Sequence, residues 1–99
     1  NFDFARIIKG CFIKSNLENA NFNKCYAEEA DFCGSECKNA NFSHSDLTRA
    51  NFDMANITKA NFSSANMTGI NLNNANLSDA LISPVTVNIQ PSDRVFSSN

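Results

Sequence analysis

The chain has 99 residues, enough for one domain, and carries a formal net charge of -2 at pH 7. That charge gives neither the basic footprint of a nucleic-acid binder nor a strong acidic field. No apolar run approaches a membrane span and nothing resembles a signal peptide, while the apolar residues are spread too evenly for a three-dimensional core. They suit a thin core growing in one direction. The chain opens at Asn1 rather than at a Met, in phase with its own repeat, as expected of a piece or a processed product.

From Phe2 every fifth residue is apolar, through Ile7, Phe12 and Leu17 to Leu77 and Ile82, seventeen positions without exception. The slot two residues earlier runs from Ala5 and Gly10 to Ala75 and Ala80, and fifteen of its sixteen members are small, Ile70 being the exception. A period of five fits neither a helix nor a half-buried strand, so the chain must bend once per repeat. The remaining slots hold Asn, Asp, Ser, Thr, Lys and Glu, residues that favour turns and solvent.

Units such as Ala20-Asn21-Phe22, Ala40-Asn41-Phe42, Ala60-Asn61-Phe62 and Ala75-Asn76-Leu77 resemble the pentapeptide-repeat family. The resemblance covers residues 1 to about 83. It implies an all-β fold, a right-handed quadrilateral β-helix of about four coils with twenty residues each, roughly 20 Å long at the strand spacing. Alternate central slots then lie on opposite sides. Phe2, Phe22, Phe42 and Phe62 form one ladder, and Phe12, Phe32, Phe52 and Leu72 form the other. Asn1, Asn21, Asn41 and Asn61 share a column, and Asn16, Asn56 and Asn76 share another with Glu36. Amides one coil apart can hydrogen-bond along such columns.

The grammar stops after Ile82. Pro84 and Pro91 interrupt it, and Val85 to Ile89 alternates like a short strand, so residues 84–99 are expected to be a C-terminal cap or tail after a solenoid over 1–83. In the first coil Phe4, Ile8 and Ile13 stand in slots that should face water, and Tyr26 lies one coil on, expected on the side of Ile8. These four residues form the candidate protein-contact patch. Two readings fit it: a preceding segment packs there, as atypical end repeats often require, or another protein does.

Catalytic chemistry is not expected. The one histidine, His44, stands outward with Lys24 and Ser64 in its column and no carboxylate in line. Cys25 and Cys37 fall in inward slots, Cys11 and Cys33 in outward ones. Their spacing does not suit a zinc site, and a Cys11–Cys33 bridge needs a favourable Cβ direction. Four free thiols and hence a reducing, cytoplasmic setting are expected. The N-x-S/T triplets at Asn41, Asn56, Asn61, Asn66 and Asn76 arise from the repeat itself, and the charges read as a solvated mixed surface.

The chain is therefore expected to be noncatalytic, a rigid protein-binding scaffold or spacer. It would use its first coil for a partner or for self-association, without cofactor, metal, small-molecule substrate, nucleic acid or membrane. The resemblance also implies an alternative, the DNA-mimicking proteins that bind gyrase or topoisomerase and protect them from quinolones. That mimicry calls for a long, strongly acidic rod with a C-terminal dimer contact, which this sequence does not present.

Overall fold

The computed structural model describes residues 1–82, so the expected cap over 84–99 lies outside the described residues. The fold is a right-handed quadrilateral β-helix, built by one turn repeated sixteen times. In each repeat the small-slot N–H donates to the central-slot carbonyl three residues back, as from Ala5 to Phe2 and from Gly10 to Ile7, at 2.8–3.2 Å. The third residue of each turn, and only that residue, has positive φ, between 56 and 67°. That is the signature of a type II turn, which ordinarily asks for Gly or Asn at this place. Here Gly34 and Gly69 share the slot with Lys, Arg, Glu, His and Met. A left-handed conformation costs a residue with a Cβ roughly 1–2 kcal/mol, so contacts between coils must impose it.

Those contacts recur at an interval of twenty residues. Parallel bridges pair Arg6 with Tyr26, Cys11 with Asp31 and Asn16 with Glu36, and continue upward to Asn56 with Asn76. Two short strands, β1 (Asn61–Phe62) and β2 (Leu81–Ile82), close the series as a parallel pair. Each central-slot N–H donates to a carbonyl of the next coil, as from Phe22 to Asn41 and from Phe42 to Asn61, both at 2.7 Å. The residue before the central slot sends its N–H the other way, as from Tyr26 to Ala5 at 2.8 Å.

The core is the pair of phenylalanine ladders expected from the sequence. Within each ladder the rings lie parallel, with centres 4.6–5.1 Å apart and planes within 7°. Rings of the two ladders meet edge to face at 5.4–6.0 Å. Both arrangements suit the aromatic quadrupole. Phe22 through Phe62 are fully buried, as are Ala27, Leu47, Ile57, Met67 and Leu72. The small slot is small because its Cβ points back at the turn. A Cβ on Gly10 would come within 2.9 Å of the Ile7 carbonyl oxygen. Ile70, the exception in that slot, is buried as completely as Ala30 and Ala50 beneath it.

The asparagines serve the turn first and the column second. Asn21, Asn41 and Asn61 each accept, on Oδ1, the N–H of the residue two further on, at 2.9 Å. Amide bonds between coils join Asn71 to Asn51 at 3.1 Å, Asn51 to Asp31 at 3.2 Å and Asn56 to Glu36 at 3.1 Å. The Glu36–Asn56 column is one the sequence singles out. The column of Asp31, Asn51 and Asn71 is not.

Candidate functional site

Four of the six large apolar residues that stand exposed among the described residues are Phe4, Ile8, Ile13 and Tyr26. Phe4 is 62% exposed at a turn position with φ of 63°, an uncommon place for an aromatic residue. Lys24, directly above it in the column, holds its ammonium 5.4 Å from the centre of the Phe4 ring. Tyr26 pairs in register with Arg6, whose guanidinium carbon sits 5.3 Å over the tyrosine ring. Cation–π contacts at such exposed sites contribute about 0.5–1 kcal/mol each, a bias toward these ring positions.

Phe4 and Tyr26 meet across an open groove of ≈ 390 Å³, whose walls also include Lys24, His44, Asp46 and Asn66. Ile8 and Ile13 do not line it; they occupy the next two corners of the first coil. Tyr26 thus stacks over Arg6, while Ile8 lies at the corner beyond, in the column of Glu28. The patch is a band around the end of the rod rather than one compact spot. Sequence reasoning missed Met54, 60% exposed at a turn in the third coil, and Leu81, 57% exposed. Met54 stands in an outward slot like Phe4, so the same rule finds it.

His44 lies in the groove beside Lys24, Ser64 and Asp46. The Asp46 carboxylate serves its own turn, accepting from the Thr48 N–H at 3.1 Å and hydroxyl at 2.6 Å through Oδ1. Among the described residues no group of three or more His, Cys, Asp or Glu side chains is placed to hold a metal ion. The thiols divide as expected from the slots: Cys11 is exposed, Cys33 half-buried, Cys25 and Cys37 buried, and all four are unpaired. Burial pushes the Cys25 and Cys37 thiols up to about 11, against a lowering hydrogen bond in each case, from Ser35 for Cys37.

Charge alternates along one corner, where Glu29 bridges Lys9 at 3.9 Å below and Arg49 at 3.1 Å above. The neighbouring Glu28 departs from the expectation of a solvated surface. Its Oε1 is buried and accepts no hydrogen bond. No helix among the described residues is long and apolar enough to cross a membrane.

Comparisons with known proteins agree with this geometry. No curated protein matches the sequence. A pentapeptide repeat protein from the thylakoid lumen of Arabidopsis thaliana superposes with a TM-score of 0.84 at 29% identity, over 96% of this chain and 68% of its own. HetL, a pentapeptide repeat protein involved in heterocyst differentiation regulation in Nostoc sp. strain PCC 7120, aligns at 20% identity with a TM-score of 0.45. That alignment covers 78% of this chain and 46% of HetL. A family model described as the pentapeptide repeat region matches residues 5–82, nearly all of the described solenoid, and the chain belongs to the pentapeptide repeat family.

Proposed function

We propose that this chain is a noncatalytic, rigid protein-binding scaffold whose contact surface is the first coil. The observation that carries the reading is that four of the six exposed large apolar side chains among the described residues lie in the first two coils: Phe4, Ile8 and Ile13 in the first and Tyr26 in the second. Exposed apolar side chains gathered in one part of a fold favour protein contact, and a solenoid presents them on a stiff support. The groove between Phe4 and Tyr26 widens the surface with polar groups at its rim. The proposal involves no cofactor, metal, small-molecule substrate, nucleic acid or membrane. The four unpaired thiols support a reducing compartment such as the cytoplasm.

The test is to replace Phe4, Ile8 and Ile13 by Ser together. All three side chains point to solvent, so the circular dichroism and unfolding midpoint should change little, while self-association or affinity capture of a partner is lost. A triple variant that binds as the parent does sinks the reading.

A further inference from the structure

Outside the two core ladders the described residues hold three aromatic side chains, Phe4, Tyr26 and His44, and all three line one groove. The groove runs along the side of the rod. Its walls take Phe4 from the first coil, Tyr26 from the second, His44 from the third and Asn66 from the fourth. Its floor is the small-slot column, where Cys25 and Ser45 are buried, so the rings stand above it. Phe4 is 62% and Tyr26 47% exposed even with a cation over each ring. Arg6, the cation over Tyr26, is not part of the groove wall.

The polar groups of the walls are mostly donors. The Tyr26 and Ser64 hydroxyls, the His44 ring N–H and the Asn66 Nδ2 can each donate, and none meets an acceptor among the described residues. The Asn66 Oδ1 serves its own turn, accepting from the Thr68 N–H at 3.1 Å and hydroxyl at 2.7 Å, which leaves Nδ2 for a ligand. Charge selects neither sign, because Lys24 and Asp46 both line the groove and offset each other. The Lys24 ammonium is also drawn to the Phe4 ring, and the Asp46 Oδ1 to Thr48. Such a lining suits a neutral ligand with apolar rings and an excess of acceptors.

Proline meets that description, since it brings an apolar ring and a carbonyl but no N–H. In the polyproline II helix the backbone makes no internal hydrogen bonds, so its carbonyls are open to outside donors. The dimensions agree as well. Residues three apart on that helix face the same way, about 9.3 Å apart at ~3.1 Å per residue. Phe4 and His44 stand in one column two coils apart, about 9.6 Å at the ~4.8 Å strand spacing. We propose that the groove binds a proline-rich segment of a partner protein in the polyproline II conformation. One proline ring packs at Phe4 and Tyr26, the proline three residues on packs at His44, and Tyr26, Ser64 and Asn66 donate to carbonyls. Aromatic-lined grooves take such segments because the peptide is already stiff before it binds. The proposal rests on the scaffold reading and gives the partner's contact segment a chemistry.

Fluorescence anisotropy of a fluorescein-labelled decaproline, titrated with the full 99-residue chain, tests this. Binding should saturate and change little with added salt, because no ion pair holds the peptide. A Gly-Ser decapeptide of the same length should not bind. Tyr26→Ala should weaken binding by about tenfold or more, as the loss of an aromatic anchor does. Asn66→Asp keeps the Oδ1 that the turn uses and removes the donor, and should weaken binding severalfold; the slot accepts Asp, since Asp46 occupies it and caps the same turn. Ile13→Ser lies outside the groove and should bind as the parent does. Each variant should keep the parent's circular dichroism. No saturable binding of decaproline, equal binding of the Gly-Ser peptide, tighter binding of a labelled decaglutamate, or parent affinity in both Tyr26→Ala and Asn66→Asp overturns the inference. If capture of a protein partner is lost on replacing Phe4, Ile8 and Ile13 together but is kept in Tyr26→Ala and in Asn66→Asp, the proline-rich partner is withdrawn and the scaffold reading stands.

Discussion

The first and third coils obey the same five-residue grammar, yet their equivalent residues sit in different surroundings. Phe42 has Phe22 stacked below at 4.7 Å and Phe62 above at 5.1 Å, with Phe32 and Phe52 meeting it edge-on, and it is fully buried. Among the described residues Phe2 has one stacked neighbour, Phe22 at 4.6 Å, with Phe12 at its edge. In a solenoid each coil is stabilised by its own turns and by its two interfaces. A coil with one interface therefore opens at lower free energy than a coil with two. Three of the exposed apolar corners, Phe4, Ile8 and Ile13, are in such a coil.

The sharpest way to break this comparison is to truncate both rings. Phe42→Ala should cost about 3–5 kcal/mol, because it opens a cavity inside a ladder that stacked neighbours prevent from collapsing. Phe2→Ala should cost about 1–2 kcal/mol in the monomer, since its ring is already partly in water. Denaturant unfolding measures both. Equal losses would show that the end coil is as tightly packed as the middle, and the comparison would fail.

A second pair probes the polar frame. Asn51 makes three side-chain bonds: Oδ1 accepts from the Asp53 N–H at 2.9 Å and from Asn71 at 3.1 Å, and Nδ2 donates to Asp31 at 3.2 Å. Asn1 makes one, accepting the Asp3 N–H at 2.9 Å in an exposed turn. Asn51→Ala should therefore cost about 1–3 kcal/mol and leave a turn N–H and a facing amide unpaired, whereas Asn1→Ala should cost well under about 1 kcal/mol. The same denaturant curves decide it, and a cost at Asn1 matching that at Asn51 would mean the column bonds contribute nothing.

The ladders, the coil length and the division of the cysteines were legible in the sequence because each depends only on slot and period. Phe22, Cys25 and Cys37 are buried where slot arithmetic puts them, and Phe4, Ile8 and Ile13 are exposed. The turns were less legible. Lys9, Arg49, His44 and Met54 adopt positive φ, against their own preference, because the hydrogen bonds between coils hold them there. That is a tertiary constraint which composition does not display. The slots put Tyr26 one coil above, on the face of Ile8. Register sets it over Arg6 on that face, and the cation–π contact that follows depends on a rotamer no spacing encodes.

The smallest effect vanishes at neutral pH and contrasts Cys11 of the first coil with Cys25 and Cys37 of the second. Burial raises the latter two from 9.0 to about 11. Below pH 9 these thiols are protonated in both folded and unfolded chains and add no pH dependence. Between pH 9 and about 11 the unfolded chain loses their protons while the folded chain keeps them, so stability falls as pH rises through that window. Replacing both by Ala, a residue the repeat already uses at both kinds of slot, should flatten the alkaline slope of the unfolding free energy without removing it at pH 7. Alkylation at mildly alkaline pH gives the kinetic counterpart. Exposed Cys11 should be modified at the rate of a free thiol, and Cys25 and Cys37 only as fast as the second coil opens.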